Sequence, residues 1–277
     1  MHPIYTHIKQ SLAGIYSDSE ASALAKWILT EVFCLSTIDL YAGKDMNFST
    51  KEYAKLEDIL SRLKRYEPLQ YILGKTTFCG LPFEVAPGVL IPRPETEELV
   101  DWIISDYLEK SEVQILDIGT GSGCIPITLA RRLKNSKVTS WDVSSEALAI
   151  AERNKWLNDV EITLAQIDIF DSTLPEIHAD VLVSNPPYVT EKERSDMERN
   201  VLDWEPELAL FVPDSDPLLF YRRIAEVGCD ILSPGGILYY EINRAYGSET
   251  VTLLEQMGYK SVELRKDQFC LLYTSPS

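Results

Sequence analysis

Histidine is scarce in this chain. Only His2, His7 and His178 occur among 277 residues, and none lies at a spacing that would let two share a metal ion. The five cysteines, Cys34, Cys79, Cys124, Cys229 and Cys270, are scattered, odd in number and without a Cys-x-x-Cys pair. That excludes a zinc ribbon and argues against a disulfide framework; they read as reduced, mostly buried thiols of a cytoplasmic protein with no metal site. No stretch approaches the ~18 uncharged apolar residues that a membrane helix needs. The opening "MHPIYTHIKQSLAGIY" lacks the basic start and unbroken apolar core of a secretory signal. There is no internal repeat and no low-complexity tract.

Positive charge is also short. The chain holds 26 Lys and Arg against 43 Asp and Glu, a net charge of −17. The deficit is local: residues 1–75 carry nine of each sign, leaving 17 basic and 34 acidic residues in 76–277. Such a surface repels a phosphate backbone, because non-specific nucleic-acid affinity comes from Lys and Arg, so no direct nucleic-acid binding is expected. Hydrophobic content of 45% and a mass of 31.4 kDa suit one large domain plus a small one.

The chain changes texture twice. Residues 1–75 read as a helical bundle. "SEASALAKWILTEVF" places Ala21, Leu24, Ala25, Ile28 and Val32 close to helical spacing, and Ser17 to Glu20 forms a capping-box signature at its start. "STKEYAKLEDILSRLKRY" repeats the pattern, with Ser49 or Thr50 as cap and Tyr53, Leu56, Ile59, Leu60 and Leu63 along one face. Residues 76–98 mix β-formers with Gly80, Pro82, Pro87 and Gly88 and are expected to form a hairpin connector. From 99 to 277 apolar strands alternate with helices, from "VQILDIG" through "ADVLVSN" to "GILYYEI" and "SVELRK". Repeated βα units predict an α/β domain with a mainly parallel sheet covered on both faces, and with ligands outside the carboxyl ends of the strands.

Four of those strand ends carry candidate chemistry. "LDIGTGSGCIPI" ends a strand on Asp117 and turns through Gly119, Thr120, Gly121, Ser122 and Gly123 into a helix. Glycine there lets the backbone turn tightly and approach a ligand. The G-x-G-x-G form differs from the G-x-G-x-x-G of a pyrophosphate cradle, which counts against a nicotinamide-dependent dehydrogenase. The next strand ends in Asp142, where a carboxylate can accept both hydroxyls of a ribose. The third ends in "AQIDIFDS", where Asp168 could accept from an adenine amino group beside Ile169 or Phe170.

The fourth ends in Asn185-Pro186-Pro187-Tyr188. Two prolines fix φ and restrict the residues before them, so this loop is stiff. The Asn185 side-chain carbonyl and the Pro186 backbone carbonyl can together accept both hydrogens of a planar NH2 group, with Tyr188 as a flat face beside it. That arrangement suits a poor nucleophile, an amide or aromatic amine, by orienting it and stabilising the positive charge that develops on nitrogen.

The "LDIGTGSG" loop, Asp142 and "NPPY" together resemble the Rossmann-like S-adenosylmethionine-dependent amino-methyltransferases. "PLQYILGKTTFCGLPFEVAPGVLIPRPETEELV", "EPELALF" and "GGILYYEI" are similar in kind and order to the PrmC/HemK release-factor glutamine methyltransferases, over nearly the whole chain. This resemblance implies a seven-stranded methyltransferase sheet and methylation of the glutamine in the Gly-Gly-Gln loop of peptide-chain release factors. It implies S-adenosylmethionine as cofactor, release factors as partners and a monomer. Gly119 to Gly123 would border the methionine part of the cofactor, Asp142 the ribose, and Asp168 with Ile169 the adenine. Asn185, Pro186 and Pro187 would hold the glutamine amide and Tyr188 pack against it. Ile169 stands where the family can have tryptophan, keeping the apolar wall without aromatic stacking. Arg93 and Glu97 are expected to brace the site. A ribosomal-protein glutamine methylase or a DNA adenine-N6 methylase could carry the same tetrapeptide; the acidic catalytic part speaks against DNA. A catalytically dead scaffold is disfavoured by intact Asn185 and Tyr188. The ending "QFCLLYTSPS" departs from the family's glycine and basic residue and resembles translated adapter sequence, so the last strand, around Phe269 and beyond, is expected to be poorly completed.

Overall fold

The computed structural model describes residues 3–42, 48–110, 112–266 and 272–275. The chain divides into two compact units, one of residues 1–73 with 199–204, the other of residues 74–198 with 205–277.

The first unit is helical: α1 (Pro3–Leu12), α2 (Asp18–Trp27), α3 (Thr37–Ala42), α4 (Thr50–Leu63) and α5 (Leu69–Leu73). The capping box expected at Ser17 forms, and of the two caps considered for the later helix it is Ser49 that serves, also in a capping box. Ser17 with Glu20 and Ser49 with Glu52 each exchange side-chain and backbone hydrogen bonds at a helix start. After α2 the chain continues as a π-helical turn, Ile28–Val32, whose extra residue per turn brings both Ile28 and Leu29 into the core. Ile8, Leu12, Ala25, Leu56 and Leu60 are among the other members of that core. Tyr53 departs from the expected stripe: it is 45% exposed and packs edge-on against Phe48.

The second unit opens with a two-stranded hairpin, β1 (Lys75–Phe78) and β2 (Leu81–Glu84). There follow α6 (Pro94–Tyr107), β3 (Val113–Ile118), α7 (Cys124–Arg132), β4 (Ser136–Asp142), α8 (Ser145–Leu157), β5 (Thr163–Gln166) and β6 (Ala179–Ser184). Then come β7 (Val189–Thr190), α9 (Arg199–Leu202, in the first unit), α10 (Glu207–Leu210), β8 (Phe211–Val212), α11 (Leu219–Ile231), β9 (Leu232–Ile242), α12 (Gly247–Gln256), β10 (Glu263–Lys266) and β11 (Leu272–Ser275). Seven strands form one sheet in the order β10-β11-β9-β6-β3-β4-β5, parallel from β9 to β5, with β11 antiparallel to both neighbours.

The central strands read as near-continuous apolar runs because helices cover both faces. Val113, Ile115, Val181, Val183 and Tyr239 pack into one core layer, and Leu116, Ile118, Leu182, Leu238 and Tyr240 into the other. The expectation of a poorly completed terminus is not met over β11, which is bonded on both sides. The ladder uses backbone groups and so does not test how the side chains there pack; Phe269 and Cys270 lie outside the described residues. Strand order reverses beside β3, so the loops after β3, β4, β5 and β6 meet at one edge, where such sheets bind ligands. No described helix is long and apolar enough to cross a membrane.

Candidate active site

A cavity of about 420 Å³ lies at that edge, within the second unit. Gly119, Thr120, Gly121, Ser122, Asp142, Asp168, Ile169, Asn185, Pro186 and Pro187 all line it, so ten of the residues singled out in the sequence come together from four loops. Asp117, Gly123 and Tyr188 do not line it.

The glycine loop is tied to the next strand by its backbone. Gly119 and Thr120 donate to the Trp141 carbonyl at 2.8 and 3.2 Å. Asp142 Oδ2 accepts the Gly121 N–H at 2.9 Å, and its Oδ1 accepts the Ser144 N–H at 2.8 Å. Burial raises the Asp142 carboxyl above its ordinary value, and these amide donors pull it back. Gly119 has φ of +85°, and a methyl group there would lie 3.8 Å from the Asn185 carbonyl oxygen. The two loops are therefore neighbours, and glycine suits the position because its left-handed φ would strain a residue with a side chain.

Gly123 serves packing instead. It begins α7 at φ +83°, and a Cβ would meet Ile127 Cδ1 at 2.8 Å and Ala151 Cβ at 3.2 Å. It allows α7 and α8 to approach, which explains its distance from the cavity wall. Asp117 is fully buried beneath the loop. One oxygen accepts from Ser140 Oγ and the other, Oδ1, has no partner among the described residues. Burial, reinforced by the charge of Asp142 and opposed by Ser140, pushes its carboxyl up to about 7.

At the far wall, Asp168 is exposed and accepts the Phe170 N–H at 2.9 Å, while Ile169 is buried. The stacking surface that Ile169 lacks has an aromatic neighbour: Phe170 and Phe220 both line the cavity, 5.5 Å apart edge to face. Asn185 donates from Nδ2 to Thr96 Oγ1 at 3.3 Å, and among the described residues nothing donates to its Oδ1. Tyr188 is turned away from the cavity, its hydroxyl donating to Glu241 Oε1 at 3.0 Å. Thr96 Oγ1 donates to the other oxygen of the same carboxylate at 2.6 Å. Glu241 is fully buried; burial raises its carboxyl above the ordinary value, against the lowering effect of Thr96 and Tyr188.

Several structural partners escaped the sequence reading. Asn154 on α8 is fully buried and donates to the Ser122 and Glu84 carbonyls at 2.8 and 2.9 Å, joining the hairpin to the glycine loop. Glu205 accepts the Ile91 N–H at 3.0 Å and ion-pairs Arg93, a cavity residue. Arg93, expected to brace the site, is thus held on the cavity wall by an ion pair. Glu97, expected to do the same, accepts the Cys79 N–H at 2.7 Å and holds the hairpin turn. A carboxylate closing an apolar strand, such as Glu241 in "GGILYYEI", is the one signal that could have marked this second set. Among the described residues, no three His, Cys, Asp or Glu side chains are grouped closely enough to hold a metal ion.

Comparison with known proteins agrees with this geometry. Residues 4–74 match the PrmC N-terminal domain family and residues 100–203 the methyltransferase small domain family. The release factor glutamine methyltransferase of Bacteroides thetaiotaomicron is 50% identical over 97% of this chain and 96% of its own length. That of Flavobacterium psychrophilum is 46% identical over 95% and 93%. Among solved structures, a methyltransferase from Pyrococcus furiosus shares the fold with a TM-score of 0.53, at 20% identity over 82% of this chain and 97% of that one. With half its residues identical to a relative matched end to end, and with the strand-end loops gathered at one cavity, the chain belongs to the release factor glutamine methyltransferase family, a family of S-adenosylmethionine-dependent enzymes.

Proposed function

We propose that this chain methylates the side-chain amide nitrogen, N5, of the glutamine in the Gly-Gly-Gln loop of peptide-chain release factors, and so modulates translation termination. The names of its relatives support this substrate. The observation that carries it is Asn185, which lines the cavity with a side-chain carbonyl that no described group uses.

The cavity suits S-adenosylmethionine. Gly119 puts no side chain between its loop and that of Asn185, and Asp142 retains lone pairs beyond those its two amide donors use. On this reading Asp142 takes the ribose hydroxyls, and Asp168 the adenine amino group with Ile169 and Phe170 as apolar wall. Gly119 to Ser122 lie along the methionine part, with Asp117 and Gly123 supporting that loop from behind. The cofactor supplies an electrophilic methyl group on a sulfonium. The protein's own work is at the acceptor. Asn185 Oδ1 and the Pro186 carbonyl accept the two hydrogens of the glutamine amide, which orients a weak nucleophile and stabilises positive charge as it attacks. The prolines keep both acceptors in place, and Tyr188, held by Glu241, fixes the loop from behind.

The helical unit, residues 1–75 in the sequence reading, serves substrate recognition, with 76–98 as connector and 99–277 as catalytic domain. It bears none of the chemical motifs, and its balanced charge lets it meet a folded partner without repelling acidic patches. The protein acts as a cytoplasmic monomer, without membrane or direct nucleic-acid binding. Incubation with labelled S-adenosylmethionine and a purified release factor, followed by peptide mapping, is expected to place the label on the Gly-Gly-Gln glutamine. Label on another residue, or on an adenine-containing oligonucleotide with the release factor unlabelled, would overturn the assignment.

A further inference from the structure

A primary amide is nearly symmetric in shape, and half a turn about its last bond exchanges a carbonyl acceptor for an NH2 donor. If Asn185 is to accept hydrogens from a substrate NH2, its oxygen must face that group, since the reverse orientation sets donor against donor. Nothing within the Asn-Pro-Pro-Tyr loop selects between the two. The selection comes from two residues far away in sequence.

Thr96, near the start of α6, has one hydroxyl hydrogen, and it is committed to Glu241 Oε2 at 2.6 Å. Toward Asn185 the same oxygen, 3.3 Å away, has only lone pairs to offer. It can receive an N–H and cannot give one. Glu241 is fully buried near the end of β9, and when ionised it only accepts. Its second oxygen takes the Tyr188 hydroxyl at 3.0 Å. One buried carboxylate therefore holds the loop at both ends of its tetrapeptide.

We propose that Glu241 and Thr96 form a positioning relay that sets the polarity of the Asn185 amide, so that its oxygen is presented to the substrate. The proposal rests on the reading of Asn185 as acceptor for the substrate amide. Thr96 lines the cavity beside Asn185, while Glu241 is buried behind it and does not; the relay acts through Asn185 and Tyr188. If the hydrogen of Thr96 is released from Glu241, it can be donated to Asn185 Oδ1, and the amide then presents its NH2 group.

Thr96→Val is close to isosteric and removes the lone pairs that Asn185 needs. Thr96→Ser keeps them. Glu241→Gln replaces one acceptor by an NH2 that can donate to Thr96 and so reverse the chain of bonds. The full-length protein carrying each change would be assayed with labelled S-adenosylmethionine and a purified release factor, alongside S-adenosylhomocysteine titrations and thermal melting. Thr96→Val and Glu241→Gln are expected to lower kcat by about 100-fold, the scale of a misplaced reacting group. S-adenosylhomocysteine affinity should stay within about twofold, and Thr96→Ser should restore most of the turnover, as isolated loss of a transition-state contact requires.

The deciding arm is coupling. Adding Thr96→Val to Asn185→Ala should cost nothing further, because the relay has no amide left to orient. A role confined to packing would lower kcat again in that background. Wild-type kcat in Thr96→Val, or an equal second loss on top of Asn185→Ala, overturns the relay while leaving the substrate assignment intact. A wild-type chain that binds S-adenosylhomocysteine but never labels the release factor overturns the substrate assignment, and the relay with it.

Discussion

Replacing Asp117 by Asn should change how stability depends on pH. Asp117 is fully buried at the end of β3, with Oδ1 unpartnered among the described residues and Oδ2 accepting from Ser140. Burial lifts its carboxyl from an ordinary 3.8 to about 7. Between those values the native chain holds a proton that the unfolded chain has released, so rising pH favours unfolding. At ~1.4 kcal/mol per pH unit, a gap of about three units amounts to roughly 4 kcal/mol. This stability is fully present below the unfolded value, is lost as pH rises through the folded value, and is level beyond it. An asparagine carries no such charge, and the constant cost of fitting its NH2 group does not vary with pH. Urea unfolding, followed through the tryptophans, would be run on both proteins at steps from about pH 5 to pH 8. Carboxylates that titrate alike in both cancel in the difference. The variant should gain on the wild type by about 2–3 kcal/mol across that range and then plateau. A difference that stays flat with pH would mean that Asp117 is ionised throughout, and the reasoning from burial would fail.

Asp142→Ala should weaken S-adenosylhomocysteine binding by roughly 1.5–3 kcal/mol, the worth of hydrogen bonds to a charged group. Calorimetry would measure it, and unchanged affinity would count against ribose binding there. Glu205→Ala strips the Ile91 amide and Arg93 of a buried partner. Leaving one side of such a pair behind costs about 3 kcal/mol, readable as a lower denaturation midpoint at unchanged slope. Gly123→Ala forces a Cβ to within 2.8 Å of Ile127 at a left-handed φ. It should destabilise by about 2–3 kcal/mol through packing and backbone strain, while a melting temperature equal to wild type would show that α7 and α8 can separate at no cost.

How much of this was legible in the sequence follows from how far each residue's partners lie along the chain. The capping boxes at Ser17 and Ser49 use partners three residues away; the first forms as read, and the second settles the choice of cap between Ser49 and Thr50. The alternating strands and helices were legible because burial on both faces leaves unbroken apolar runs such as "VLVS" in β6. The π-helical turn after α2 was not, since its apolar spacing differs from an α-helix by a single residue. Tyr53 fitted a helical stripe by period, but it lies one turn from the helix start, where the core no longer covers it.

At the site the same logic separates two groups. Asp142, Asp168 and Asn185 stand at strand ends, and a parallel sheet converts that position directly into a shared edge. Tyr188 is only three residues past Asn185, yet its side chain answers to Glu241, 53 residues on, and leaves the cavity. Thr96 lies 89 residues before Asn185 and 145 before Glu241. No local pattern could pair them, because a threonine early in a helix ordinarily reads as capping or surface and a glutamate after "YY" as a strand leaving the core. What makes them partners is the low-polarity interior at the carboxyl end of β9, where a carboxylate is tolerated only if it is fully used. Groups that touch a ligand are therefore readable from motif and topology. Groups that orient them become readable only when a buried charge demands to know where its hydrogen bonds go.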